Sequence, residues 1–262
     1  MGHRAVPSNS ELAAERLLRQ ARMHAALGEP VRLAMIRRLL ITDASPGELG
    51  AAYGLATNVL AHHLKVLQTA GLVRRVKSEG DARRSYIQLL REDPEVMAMV
   101  DPRPGSAAEA VLRSLLGTGR PQRVVFVCTA NSARSQLAEA TWRQVSHLPV
   151  TSAGTRPAPR VHPRALATGR RHGLRFDGAR TARLVDVAAP GDLVVCVCDN
   201  AHEELTATSH DPLDTPMVGQ VHWAVPDPVH AATDEAFDSA YTEIAGHVQR
   251  LAESLDPAPS TC

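Results

Sequence analysis

A cysteine and an arginine stand six positions apart in a setting that could bind and attack an oxyanion. Cys128 follows a largely apolar run at residues 123–127, and Arg134-Ser135 opens a segment with helical spacing. A strand, a loop and a helix in that order aim backbone N–H groups and a helix N-terminus at one point, which would stabilise a thiolate there. The planar guanidinium of Arg134 can bind two oxygens of a tetrahedral anion. The spacing therefore predicts attack by Cys128 on a bound oxyanion.

The residues around this pair complete the predicted site. Ser135 could hydrogen-bond the sulfur, Asn131 could fix the loop through its side-chain amide, and Asp227, after a later predicted strand, could protonate a leaving group. The predicted catalytic residues are Cys128, Arg134, Ser135 and Asp227, and the predicted oxyanion-binding residues are Thr129, Ala130, Asn131, Ser132, Ala133 and Arg134. The structural alternatives are a buried core cysteine, a surface arginine and a turn-forming aspartate.

Residues 121–256 resemble the low-molecular-weight tyrosine phosphatases and their arsenate reductase relatives. The resemblance rests on the pattern C-x-x-N-x-x-R-S from Cys128 to Ser135, on the S-A-G-T segment that ends at Thr155, and on Asp227-Pro228. It implies an α/β, flavodoxin-like domain with a four-stranded parallel sheet. The strands are expected at residues 123–127, 149–153, 192–198 and 220–225. The cysteine loop would then lie at the carboxyl end of the first strand, where such sheets bind ligands.

Within this resemblance, the sequence favours the reductases over the phosphatases. Gln136 stands where phosphatases usually have proline, no tyrosine follows Asp227-Pro228, and Cys198 corresponds to the second redox cysteine of the reductases. Leu205 stands near the place of the third cysteine of thioredoxin-coupled members, so Cys196, Cys262 or an external low-molecular-weight thiol would have to take its role. The expected reductant is an external thiol, either thioredoxin or a low-molecular-weight thiol, and no bound cofactor is expected. The possible redox residues are Cys196, Cys198 and Cys262, although Cys196 and Cys198 also suit core packing.

The front of the chain, residues 11–91, predicts a DNA-binding domain. Glu29-Pro30 separates two helical segments, and Ser45-Pro46 begins a short helix that ends near Gly54. Residues 57–69 form the next helix, which begins with a Thr57-Asn58 cap pair. Two short helices joined by a tight turn are typical of a helix-turn-helix, whose second helix enters the major groove.

A basic β-hairpin is predicted next. Residues 72–76 and 85–89 are β-prone runs on either side of a Gly/Asp turn, and their basic side chains suit contacts with DNA phosphates. The predicted DNA-binding residues are Thr57, Asn58, His62, His63, Lys65, Arg74, Arg75, Lys77, Arg83 and Arg84. The run from His62 to Val73 resembles the ArsR/SmtB family of metal-responsive repressors, over roughly residues 20–91. This resemblance implies a homodimeric winged helix that binds palindromic operators, with residues 92–120 as a connector containing a possible dimerisation helix.

The front half of the chain contains no cysteine, which limits how it could bind arsenite. All four cysteines lie at or after Cys128, and trivalent arsenic requires soft sulfur ligands. Arsenite would therefore bind cysteines of the back half, and its effect would reach the DNA-binding helices through the connector or across the dimer. His62 and His63 are adjacent on a helix and point about 100° apart, so they suit DNA or solvent better than a shared metal, and no metal site is predicted.

Bulk properties agree with this division. Residues 1–103 carry 15 Lys/Arg and 11 Asp/Glu, whereas residues 104–262 carry 14 and 17, so a slightly basic half precedes a slightly acidic one. No run of apolar residues is long enough to span a membrane and no signal peptide is evident, so a cytoplasmic location without membrane contact is expected.

The sequence thus predicts two domains, a mainly α winged helix-turn-helix and a flavodoxin-like α/β domain. The favoured function is an ArsR-type transcriptional regulator fused to a thiolate-based arsenate reductase in the arsenic response. Its partners would be double-stranded operator DNA, arsenate or phosphate, a thiol reductant and a second copy of the chain, with arsenite as a further candidate ligand. Two alternatives stay open: a catalytically idle oxyanion or arsenite sensor that controls DNA binding, and a protein tyrosine phosphatase fused to a regulator.

Overall fold

A computed structural model describes residues 9–101, 106–116, 119–207 and 217–255, so Cys262, a predicted redox residue, lies outside the described residues. The helices are α1 (Asn9–Leu27), α2 (Pro30–Ile41), α3 (Pro46–Tyr53), α4 (Thr57–Thr69), α5 (Pro94–Val100), α6 (Ser106–Leu116), α7 (Arg134–Val145), α8 (Pro163–Arg171), α9 (Leu184–Val187), α10 (Asp199–Ala207), α11 (Pro228–Ala231) and α12 (Asp234–Leu255). The strands are β1 (Val73–Lys77), β2 (Ser85–Leu89), β3 (Arg123–Cys128), β4 (Val150–Gly154), β5 (Asp192–Cys196) and β6 (Gly219–His222).

Local signals set most helix ends in the first half. The Ser45 side chain accepts from the amide of Glu48, and the Glu48 carboxylate accepts from the amide of Ser45, which forms a capping box for α3. Gly54 ends α3 in the left-handed region, with φ of 62°. Helix α4 spans the predicted residues, but its cap is Ala56, which provides no side-chain hydrogen bond. The predicted Thr57-Asn58 cap is therefore wrong, because both residues already lie within the first helical turn.

The strands β1 and β2 form the predicted hairpin. They pair antiparallel from Val73 opposite Leu89 to Lys77 opposite Ser85. Residues 78–84 connect them and are called the hairpin turn below. The first half is thus mainly α-helical, with α3, α4 and one hairpin in the predicted order.

The second half is built on a four-stranded parallel sheet in the order β4-β3-β5-β6. The chain runs outward from β3 in both directions, so the carboxyl end of β3 lies at the topological switch point where such sheets bind ligands. Strands β5 and β6 end earlier than predicted, at Cys196 and His222. Cys198 therefore lies beyond the strand, in the connection to α10.

The two halves pack directly against each other through the segment that joins α2 to α3. The indole N–H of Trp223 donates to the carbonyl oxygen of Ile41 at 2.9 Å, and the amide of Asp43 donates to the carbonyl oxygen of His222 at 2.8 Å. The Asp43 carboxylate is buried and accepts from Gln88 Nε2 and from the amide of Ala224, both at 3.0 Å. These contacts join the two halves within one chain, in addition to the connector and the dimer through which coupling was expected.

No helix within the described ranges combines the length and apolar character that a membrane span requires.

Candidate active site

The end of β3 and the start of α7 position the candidate nucleophile and arginine. Cys128 is the last residue of β3, and Arg134 is the first residue of α7. Ala133 caps α7 without a side-chain hydrogen bond, so no side chain of the cap competes for the first amide groups of the helix. Those amides therefore add to the anion-binding capacity of the loop between Cys128 and Arg134.

Hydrogen bonds from a neighbouring segment hold this loop from outside. Its carbonyl oxygens accept from the amides of Thr155 (to Cys128, 3.1 Å), Arg156 (to Thr129, 2.8 Å), Ala158 (to Ala130, 2.8 Å) and His162 (to Ser132, 2.8 Å). In a trans peptide the C=O and the following N–H point in opposite directions, so the next amides face the interior of the loop. One of them, that of Asn131, donates to the Cys128 sulfur at 3.2 Å. The loop is therefore a cradle of N–H groups around that sulfur.

Asn131 ties the cradle to three other segments. It adopts a left-handed backbone conformation with φ of 48°, which asparagine tolerates better than most residues. Its Oδ1 accepts from the amide of Ala182 at 2.8 Å, and its Nδ2 donates to the hydroxyl oxygens of Ser135 and Ser152, both at 2.9 Å. Ser135 Oγ lies 3.1 Å from Cys128 Sγ, within reach of the sulfur that it was predicted to contact.

Gly154, at the end of β4, allows the cradle to lie against the strand. A Cβ atom at this position would come within 2.6 Å of the carbonyl oxygen of Thr129 and 2.9 Å of the amide nitrogen of Asn131. Both neighbours are backbone atoms and cannot rotate away. The glycine of the S-A-G-T segment is thus required by close packing against the loop.

Arg134 lies almost entirely within the protein, with 4% of its side chain exposed. Its Nη1 donates to the carbonyl oxygen of Val225 at 2.7 Å and to Glu79 Oε2 at 3.0 Å, while Nη2 lies 3.1 Å from Asp227 Oδ2. Burial opposes the charge on Arg134, but the nearby Cys198 and Cys128 sulfurs and the two carboxylates outweigh it and raise its pKa. Arg134 is therefore held as a cation at the mouth of the cradle.

Asp227 is fixed by the start of α11. Its Oδ1 accepts from the amide of Val229 at 3.1 Å, which leaves Oδ2 facing Arg134. Asp227 thus lies beside the oxyanion-binding guanidinium, where a general acid could reach a bound anion.

The two neighbouring cysteines occupy different surroundings. Cys198 is buried, its sulfur lies 3.7 Å from the hydroxyl of Thr129, and it accepts from the amide of Ala201 at 3.4 Å. Burial raises the pKa of Cys198 to about 11, against the opposing charge of Arg134. The Cys196 sulfur instead accepts from Gln220 Nε2, and burial raises its pKa strongly. Cys198 is therefore the cysteine that contacts the cradle.

The predicted DNA-binding residues lie on α4 and on the hairpin. Those exposed to solvent are Thr57, Asn58, His62, Lys65, Arg75, Lys77, Arg83 and Arg84. His63 is half-buried, with Nδ1 3.7 Å from a Glu29 carboxylate oxygen. Arg74 donates to Gln88 at 2.9 Å and also pairs with Glu92, so it is already engaged within the chain.

Two features of the site were not anticipated from the sequence. Glu79 belongs to the hairpin turn, which was interpreted only as a DNA-contacting element, yet it binds Arg134. Gln136, used to favour the reductases, turns its side chain to the carbonyl oxygen of Arg180 at 3.0 Å. The Gln136 side chain therefore contacts the loop that contains Arg180.

Among the residues that the structure describes, no group of three or more His, Cys, Asp or Glu side chains is arranged to hold a metal ion.

A cysteine and an arginine in an amide cradle at the switch point of a parallel sheet define the class of cysteine-dependent, phosphatase-like α/β proteins. The sequence model of the family described as "Low molecular weight phosphotyrosine protein phosphatase" matches residues 123–259, slightly more than half of the chain. The chain belongs to this family.

Several relatives each match about half of this chain. An arsenate reductase of Bacillus cereus (strain G9842) is 32% identical over 135 residues, which are 50% of this chain and 94% of the relative. An arsenate reductase of Bacillus subtilis (strain 168) is 30% identical over 140 residues, 50% of this chain and 95% of the relative. A crystal structure of arsenate reductase from Archaeoglobus fulgidus DSM 4304 is 26% identical and covers 49% of this chain and 98% of its own, with a TM-score of 0.40.

Proposed function

We propose that this chain is an ArsR-type transcriptional regulator fused to a thiolate-based arsenate reductase that acts in the arsenic response. The main support for the reductase activity is a second thiol beside the cradle. Cys198 contacts Thr129 of the loop that holds Cys128 and Arg134. The names of the relatives support the same reaction, since the matched proteins from two Bacillus species are arsenate reductases.

The proposed reaction uses two cysteines in sequence. The Cys128 thiolate attacks arsenic while Arg134 and the loop amides bind the anion, so that a sulfur–arsenic bond forms and one arsenate oxygen departs as water. Asp227 is placed to pass a proton to that oxygen. A second thiolate then attacks the Cys128 sulfur. A disulfide bond forms, and the electron pair of the broken sulfur–arsenic bond reduces pentavalent arsenic, which leaves as arsenite.

Cys198 is the residue that we assign to the second step. It lies beside the loop of Cys128, whereas the Cys196 sulfur contacts Gln220 on the neighbouring strand. With a pKa of about 11, Cys198 rests as a neutral thiol and must lose a proton before it attacks. An external thiol, either thioredoxin or a small thiol, would afterwards reduce the disulfide to the two starting thiols.

The DNA-binding role rests on the first half. Helices α3 and α4 follow each other through the tight turn at Gly54, and α4 presents Thr57, Asn58, His62 and Lys65 to solvent. The β1–β2 hairpin beyond them would serve as the wing of a winged helix.

A homodimer is supported by three exposed leucines on α1, Leu12, Leu17 and Leu18, which a partner could cover. We place the protein in the cytoplasm, where operator DNA and thiol reductants are available.

A tyrosine phosphatase is the second candidate function. The family that the chain belongs to is described by that activity, and Asp227 lies where it could protonate a phenolate leaving group. A phosphatase, however, needs only one cysteine, whereas here a second thiol borders the cradle.

Parallel assays on the full chain separate the candidates. Arsenate is supplied either with thioredoxin, thioredoxin reductase and NADPH or with a small thiol, and arsenite is measured. p-Nitrophenyl phosphate is offered to the same preparation. The reductase proposal expects arsenite formation that requires both Cys128 and Cys198, with weak phosphate-ester hydrolysis. Efficient hydrolysis without arsenite would favour the phosphatase, and neither activity would favour an oxyanion sensor.

A further inference from the structure

The hairpin turn brings a carboxylate from the first half of the chain into the cradle of the second. Glu79 Oε2 accepts from Arg134 Nη1 at 3.0 Å, and Glu79 Oε1 accepts from the amide of Asp227 at 2.6 Å. One carboxylate thus bridges the anion-binding arginine and the backbone of the candidate acid. These two donors would also suit two oxygens of a tetrahedral anion.

The contact belongs to an interface between the β1–β2 hairpin and α10. Ser78 Oγ donates to Glu203 Oε1 at 2.7 Å, the amide of Glu79 donates to Asp199 Oδ2 at 2.9 Å, and the Tyr86 hydroxyl donates to Glu203 Oε1 at 3.0 Å. Gly80 faces the side chains of α10, where a Cβ would lie 2.6 Å from Glu203 Oε2. The turn is therefore seated at a defined place beside the cradle.

Arg134 cannot keep this arrangement and bind an oxyanion with the same atoms. Each Nη nitrogen carries two N–H groups, and those of Nη1 are used by Val225 and Glu79. An incoming anion would also meet the negative charge of Glu79 at close range, and like charges that share a small site repel strongly. The Glu79 side chain is 32% exposed, so it can move into water, whereas the buried arginine cannot follow.

We propose that Glu79 is an internal ligand of the oxyanion site, and that binding of a tetrahedral oxyanion displaces its carboxylate and so removes the anchor of the hairpin turn at Arg134 and Asp227. This inference rests on the oxyanion-binding part of the proposed function and does not require reduction. Because the turn joins the strands of the proposed wing, loss of this anchor gives the oxyanion site a direct route to the DNA-binding half within one chain.

Inorganic phosphate is the probe, because it is tetrahedral and cannot be reduced by thiols. Phosphate affinity is measured by calorimetry for the full-length wild type and for Glu79→Gln, which removes the competing charge and preserves size. We expect Glu79→Gln to bind phosphate about tenfold more tightly, the change that corresponds to one charge-assisted hydrogen bond. Asp81→Asn is the matched control: it removes a charge in the same turn, where Asp81 contacts Arg83 and the turn backbone, and should change affinity less than about twofold.

Hydrogen exchange of the wild type gives a second readout that needs no variant. Saturating phosphate should speed amide exchange in residues 78–84, because the turn loses the anchor that the Glu79 carboxylate gives it at Arg134 and Asp227. Equal phosphate affinity of wild type and Glu79→Gln would overturn the proposal, as would phosphate binding that leaves exchange of the turn unchanged or slower. If neither the wild type nor either variant binds phosphate, the assignment of the cradle as an oxyanion site is wrong. Tighter binding by Glu79→Gln without arsenite formation would retain this inference and refute only the reductase.

Discussion

Replacing Gly154 by alanine should damage the anion cradle without touching any candidate catalytic side chain. The new Cβ would lie 2.6 Å from the carbonyl oxygen of Thr129, which is 0.8 Å short of the 3.4 Å at which ordinary contact begins. It would also lie 2.9 Å from the amide nitrogen of Asn131. Because strand β4 is paired along its length with β3, we expect the loop to shift more than the strand. Overpacking of this kind costs about 1–3 kcal/mol of folding free energy.

The same shift should also lower the rate of the reaction. The shift would move the amide of Asn131 away from the Cys128 sulfur, and displacement of a catalytic group by about 1 Å can lower a rate about a hundredfold. Urea unfolding and single-turnover arsenate reduction measure the two effects. Gly47→Ala is the control, since a Cβ there meets nothing nearer than Ser45 Oγ at 3.9 Å, and both measurements should stay close to wild type. A Gly154→Ala protein with wild-type stability and rate would refute the close-packing argument.

Cys128→Ser should abolish arsenite formation in a thiol-coupled assay, because a serine hydroxyl is not ionised near neutral pH; residual turnover at the wild-type rate would exclude Cys128 as nucleophile. The double variant Arg83→Ala, Arg84→Ala should weaken operator binding and flatten its dependence on salt in gel-shift titrations, and an unchanged salt slope would remove these residues from the DNA contact. Burial and the nearby Asp43 raise the pKa of Glu243 from 4.5 to about 7. Because ionisation is harder in the folded state, wild-type stability should fall relative to Glu243→Gln as pH rises from 4.5 to 7. The relative loss should reach up to about 3 kcal/mol, and parallel pH–stability curves would contradict it.

Local chemistry made much of the fold predictable. Pro46 after Ser45, with Glu48 three residues past the cap, is a sufficient signal for the start of α3. The apolar run before Cys128 and the helical spacing after Arg134 likewise located β3 and α7. The ends of β5 and β6 were less predictable, because apolar residues continue past the last paired residue of each strand.

The contact between the two halves at Glu79 and Arg134 could not be predicted from the sequence. Glu79 lies 55 residues before Arg134, in a turn whose composition also suits an exposed loop. Its partner is set by how α10 and the hairpin pack, which depends on many buried side chains at once. The same holds for Asp43, a residue in a short connection whose carboxylate becomes a buried acceptor because Gln88, Arg91 and Ala224 surround it.

A single turnover without external reductant tests the central claim most directly. The fully reduced chain is mixed with one equivalent of arsenate, quenched with an alkylating reagent under denaturing conditions, and analysed for arsenite and for the state of each cysteine. The account predicts one arsenite for each disulfide formed between Cys128 and Cys198, with Cys196 alkylated. Unreduced arsenate with every cysteine alkylated, or arsenite without a disulfide at Cys128, would contradict it.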